Sequence, residues 1–86
     1  MIIITQDGNI AILDKLVEIY KTFGESITIE AEKINDGYIN LGEYATEERA
    51  NEVLEEISER LENWENLKAG QPTGICSYRY IMPKEW

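Results

Sequence analysis

The sequence predicts an α+β domain: an antiparallel β-sheet of five or six strands with one long amphipathic α-helix, about residues 47–65, packed on one face. Three observations predict it. Short β-rich runs alternate with tight-turn signals through the first half of the chain. One apolar stripe at helical spacing follows them. The length of 86 residues suits a single domain, 1–86, with room for two layers around one core.

Met1-Ile-Ile-Ile-Thr-Gln6 and Asn9-Ile-Ala-Ile-Leu13 flank Asp7-Gly8. An Asp-Gly pair between β-rich runs signals a hairpin, because both central residues of a type I′ turn need positive φ. Strands are expected near 1–6 and 9–13. Residues 14–23 satisfy a helical spacing through Leu13, Val17 and Tyr20, and a strand alternation with Val17, Ile19 and Phe23 on one side. Their β-branched and aromatic content favours the strand. Ile27, Ile29 and Ala31 alternate with Thr28, Glu30 and Glu32, which describes a half-buried strand over 26–34. Asn35-Asp36-Gly37 turns the chain into a further strand at 38–41, completing a meander.

Thr46-Glu47-Glu48 opens the helix: Thr46 can cap free N–H groups and the acids complement the positive helix end. Ala50, Val53, Leu54, Ile57, Leu61 and Trp64 then form one apolar stripe. Lys68 to Gly74 reads as a loop, and Ile75 to Met82 as a last strand that Pro83 ends.

Composition removes several function classes. Eight Lys and Arg against 17 Asp and Glu give a net charge of −9. With no His and one Cys, a disulfide within the chain, a Cys/His zinc site and imidazole catalysis are excluded. The charge opposes binding to duplex nucleic acid. Gly70-Gln-Pro-Thr-Gly74 lacks the Lys-Ser/Thr of a phosphate loop. Cys76 has no cation beside it and reads as an inert, half-buried thiol. Glu18 and Glu30, the acids within apolar runs, fall on the wet side of the alternation. The expectation is therefore a protein that is not an enzyme, with no catalytic residues, cofactor or metal. Met1 to Ile4 is too short for a signal peptide or a membrane span, so a cytoplasmic location is expected.

Two groups of residues are candidates for binding. Glu48, Glu52, Glu55, Glu59 and Glu62, with Glu56 beside them, lie off the apolar stripe as an acidic face. Such a face is either a solvated surface or a mimic of nucleic-acid phosphates for a basic groove. Tyr78-Arg79-Tyr80 offers a guanidinium fork and aromatic rings to a nucleotide-type ligand, with Arg49 a second cation. Alternation sends Arg79 to the opposite side from both tyrosines. Ile2, Ile3 and Ile4 in succession make both sheet faces apolar, which suggests a homodimer or higher oligomer.

Met1 to Asp7-Gly8, Leu41-Gly42-Glu43-Tyr44, Thr46-Glu47-Glu48-Arg49-Ala50, Val53-Leu54 and Arg79 to Met82-Pro83 together resemble a family of short proteins from Firmicutes and their phages. Phage proteins that counter the Thoeris defence system share this layout. The resemblance implies an oligomeric sponge that sequesters a cyclic nucleotide or cyclic ADP-ribose-type signal without cleaving it. It also implies that Arg49 and Arg79 meet the ligand phosphates. The expected function is thus non-catalytic anti-defence binding of such a signal at a dimer interface. The alternative is an acidic inhibitor of a basic host nuclease or defence protein.

Overall fold

The computed structural model describes residues 1–70 and 79–84, with the backbone alone for 66–70. Strands β1 (Ile2–Ile4) and β2 (Ile10–Ile12) form the first hairpin, Ile2 opposite Ile12 and Ile4 opposite Ile10. Its turn differs from the expected type I′. Gly8 takes the left-handed conformation at φ 86°, but Asp7 does not. The Gly8 N–H donates to the Thr5 carbonyl at 2.9 Å, and Asn9 receives Thr5 N–H at 2.8 Å. The Thr5 hydroxyl also accepts from Asn9 N–H at 3.0 Å, so one left-handed glycine suffices. The paired positive φ values occur instead at Asp36 (76°) and Gly37 (93°).

Leu13 lies outside β2; Leu13–Lys15 form a 3₁₀ turn that redirects the chain. Residues from Leu16 onward are a strand. β3 (Leu16–Phe23), β4 (Ile27–Lys33) and β5 (Tyr38–Tyr44) make the antiparallel meander. Ile29 and Ala31 are fully buried on its inner face, with Lys21 and Ile19 opposite them. Glu18, Tyr20, Thr22, Glu30 and Glu32 share the outer face. There the Tyr20 hydroxyl donates to Glu30 Oε1 at 3.4 Å.

The helix α1 (Glu47–Gly70) runs past the expected end at 65. Thr46 caps it: its hydroxyl accepts from Arg49 N–H at 3.1 Å and its carbonyl from Ala50 N–H at 3.1 Å. Ala50, Val53, Ile57 and Trp64 bury the stripe against β4 and β5, with Leu54 and Leu61 at its margin. Of the expected last strand, the described part is β6 (Arg79–Ile81). Residues 75–78 of that strand, Cys76 among them, and most of the expected loop lie outside the described residues, while Met82 is buried just past the end of β6.

The fold is α+β with one described helix, but the strands do not make one sheet. They make two, β2-β1-β6 and β3-β4-β5, of three strands each. Nor is the first sheet wholly antiparallel, since β6 runs parallel to β1 with Tyr80 opposite Ile3. A parallel return needs a long crossover, and the helix lies within that crossover.

Gln6 bridges the division. Where the chain leaves β1, Gln6 N–H donates to the Leu41 carbonyl at 2.9 Å. Its side chain then stands where a ladder would continue: Oε1 accepts from Glu43 N–H at 2.7 Å, and Nε2 donates to the Glu43 carbonyl at 3.0 Å. Nε2 also donates to the Pro83 carbonyl at 2.8 Å, and the Tyr44 hydroxyl reaches the same carbonyl at 2.8 Å. An amide side chain thus joins β1, β5 and the C-terminal segment. β5 runs through Gly42 to Tyr44, beyond the expected end at 41, because these residues pair with Ile27 to Ile29 of β4.

A Cβ on Gly42 would lie 2.9 Å from Gln6 Cδ and 3.2 Å from the Tyr44 hydroxyl. Both groups are held by hydrogen bonds and cannot swing aside freely. Gly42→Ala is therefore expected to cost about 1–3 kcal/mol, as overpacking does. Gln6→Leu is expected to cost a similar amount by removing the partner of both the Glu43 N–H and the Glu43 carbonyl. Urea-unfolding midpoints unchanged in both variants would refute this account of the junction.

Candidate functional site

At 100° per residue, Glu48, Glu52, Glu55, Glu59 and Glu62 fall within an arc of roughly 80° on α1. All are exposed. Arg49 pairs with Glu52, Nη1 to Oε1 at 3.2 Å. A shallow depression of about 360 Å³ is lined by Arg49, Glu52, Glu55, Glu56 and Glu59. Four carboxylates around one guanidinium favour a cation there over a phosphate.

Tyr80 turns inward and is buried. Its hydroxyl donates to Glu56 Oε1 at 2.6 Å, and the Arg60 guanidinium lies 5.7 Å from the ring centre. Arg60 Nη1 also donates to the Arg79 carbonyl at 3.3 Å. Burial, and then the bond to Glu56, hold the Tyr80 phenol well above the ordinary range, while the Arg49 charge acts weakly the other way. Arg49 and Tyr80 therefore share one electrostatic neighbourhood. Arg79 is exposed on the opposite face of the sheet, and Tyr78 lies outside the described residues.

That opposite face is apolar. Ile10 (64% exposed), Ile12 (50%) and Ile81 (57%) flank the half-buried Ile2 and Ile4. The register places Ile10, Ile4 and Ile81 in one row and Ile12, Ile2 and Arg79 in the next. Arg79 is the single charged residue in these two rows.

A groove of about 410 Å³ separates β3 from the helix. Leu13, Leu16, Val17 and Ile19 line one bank, Leu54, Ile57 and Leu61 the other, with Glu18 and Ser58 at the rim. Past Ile19, Lys21 crosses to the helix and donates to Glu47 at 2.9 Å and Asn51 at 2.6 Å.

Compared with protein-family models, curated proteins and solved structures, the chain gives no match. A functional reading therefore rests on the chemistry of these surfaces. Among the described residues, no group of three or more His, Cys, Asp or Glu is placed to hold a metal ion, and no helix is long and apolar enough to cross a membrane.

Sequence reasoning missed Gln6, Arg60 and the groove. Glu56 and Arg60 stand at i,i+4 spacing along the helix, yet each of these side chains is turned to the last strand. Nothing local to the sequence marks these partners, because each bond spans at least 19 residues. The two banks of the groove were visible separately, as a helix stripe and a strand alternation.

The raised Tyr80 phenol fixes the sign of one pH effect. An unfolded tyrosine ionises near 10 while the folded one stays protonated, so its contribution is full below about pH 10 and falls as pH rises above it. Between pH 9 and pH 11 wild type is expected to lose about 1 kcal/mol more than Tyr80→Phe. Parallel losses in urea titrations of the two proteins would show that the burial of Tyr80 and its bond to Glu56 do not persist in solution.

Proposed function

We propose that this protein is a non-catalytic binding protein that lays its acidic helix face against a basic protein, as an inhibitor of a nucleic-acid-handling host or defence protein in phage–host conflict. One observation carries the reading: five exposed carboxylates share one side of a capped helix, and the depression among them holds a single cation already paired to Glu52. Their separation along a helix resembles a line of phosphates more than a site for one. A cyclic nucleotide entering that depression would meet like charge on most sides.

The sponge reading finds support elsewhere on the molecule. Arg79 sits among the exposed isoleucines of the first sheet, a face with no carboxylate in its two described rows. Chains of net charge −9 repel least there, and two copies stacked on it bring two guanidinium groups to one interface. That interface is where an anionic signal would bind.

The two readings separate experimentally. The inhibitor retains a basic partner on a column of the immobilised protein. The partner is released by duplex DNA and by raising salt from about 50 to 200 mM, because exposed charges are screened over that range. Glu52→Gln/Glu55→Gln/Glu59→Gln is expected to weaken retention about tenfold or more. Retention indifferent to salt and to this variant would refute the acidic-face reading.

The sponge instead predicts a dimer in sedimentation at low micromolar concentration that Ile10→Asp dissociates. Cyclic nucleotides or cyclic ADP-ribose isomers at 100-fold excess over Kd would then add about 2.7 kcal/mol of thermal stability, lost in Arg79→Ala. A monomer with no thermal shift would remove that reading.

A further inference from the structure

The geometry points to the groove between β3 and the helix as the anchor site for a cationic amphipathic helix of the partner protein. This deepens, and rests on, the acidic-face reading. The floor and banks are apolar: Leu16, Val17 and Ile19 face Leu54, Ile57 and Leu61. The groove volume of about 410 Å³ falls within the range of ligand clefts. The groove is open to solvent, and its helix bank presents Leu54, Ile57 and Leu61 at helical spacing, which suits apolar anchors of a docked helix.

The charge around the groove selects the occupant. On the helix, Ser58 follows Leu54 and Leu61 around the surface, and Glu62 and Glu55 come next. Both acids are exposed and belong to the acidic face, so the apolar bank runs directly into it. Across the groove the rim carries exposed Glu18. The cations of that side are Lys21, held by Glu47 and Asn51, and exposed Lys15 in the 3₁₀ turn. A second copy of this chain would bring another acidic helix face to an acidic rim, and like charges so opposed are unfavourable. A segment with leucine-type anchors on one side and Lys or Arg on its flanks satisfies the floor and the rim together.

The test uses two synthetic helical peptides of about five turns, one of Leu and Lys in amphipathic order, the other with Gln for Leu at the same charge. Titration calorimetry of the full chain is expected to show the Leu/Lys peptide binding at least about tenfold more tightly. Val17→Asn and Ser58→Trp alter exposed positions, so circular dichroism should show the fold retained. Both should reduce the Leu/Lys peptide to the affinity of the Gln/Lys peptide, while Ile10→Asn on the far sheet leaves it unchanged.

Equal, salt-sensitive binding of both peptides would overturn the groove and leave the acidic face standing. A Leu preference that survives in Val17→Asn and Ser58→Trp would overturn it as well. A Leu preference lost in those variants, with affinity untouched by Glu55→Gln/Glu62→Gln and by salt, would overturn the cationic occupant together with the acidic-face reading. Self-association in sedimentation that Val17→Asn abolishes would overturn the proposal in favour of a second copy.

Discussion

One side-chain amide fixes how the layers of this protein meet. Gln6 uses its backbone N–H and all of its side-chain polarity on Leu41, Glu43 and Pro83, segments up to 77 residues away. It can do so because Gly42 has no side chain to intervene and because Tyr44 secures the Pro83 carbonyl from the other side. Each group in this junction is part-buried, so losing one partner leaves a polar atom in surroundings where water cannot fully replace it. Motif segments 1–8, 41–44 and 82–83 converge on this point. Their pattern thus has a structural cause that is independent of any ligand.

The junction decides what the helix can cover. It brings Ile3, Ala11 and Tyr80 of one sheet and Ile29, Ala31 and Leu41 of the other into a single core. The buried stripe Ala50, Val53, Ile57 and Trp64 fills that space. Among the described residues one helix has to cover both sheets, and a chain of this size buries a modest share of its surface. Two consequences follow. Leu54 and Leu61 remain half-buried at the edge of a groove beside β3, and the outer side of the first sheet keeps its isoleucines in solvent.

The sequence disclosed what depends on neighbours along the chain. Thr46 capping, the stripe from Ala50 to Trp64, the alternation of Ile27, Ile29 and Ala31, and the acidic arc all follow from periodicity, and each is present. Contacts over long separations stayed hidden. No local pattern says that Gln6 will replace a ladder, that β6 will lie parallel to β1, or that Glu56 will take the Tyr80 hydroxyl in preference to Arg60. The Asp7-Gly8 turn failed for a subtler reason. The Thr5 hydroxyl binds Asn9 N–H, which stabilises a loop needing only Gly8 in the left-handed region. Arg79 was correctly separated from Tyr80 by alternation, yet only the pairing with β1 reveals that its neighbours are isoleucines.

The two unfinished surfaces differ in the physics that would cover them. On the isoleucine face, transfer of apolar area out of water is the whole driving force, at about 25 cal/mol per Å², and salt changes it little. On the helix, Glu48–Glu52 and Glu55–Glu59 repel at i,i+4 by a few tenths of a kcal/mol each, and Arg49 relieves only its own neighbourhood. A partner supplying cations removes that repulsion while gaining its own attraction, and the apolar groove alongside converts a screened, diffuse contact into one of defined register. In the proposed docking, charge would set the approach and the groove the position. Glu55 and Glu62 lie on the same helix as Leu54 and Leu61, so in the proposed docking both groups would act on one segment.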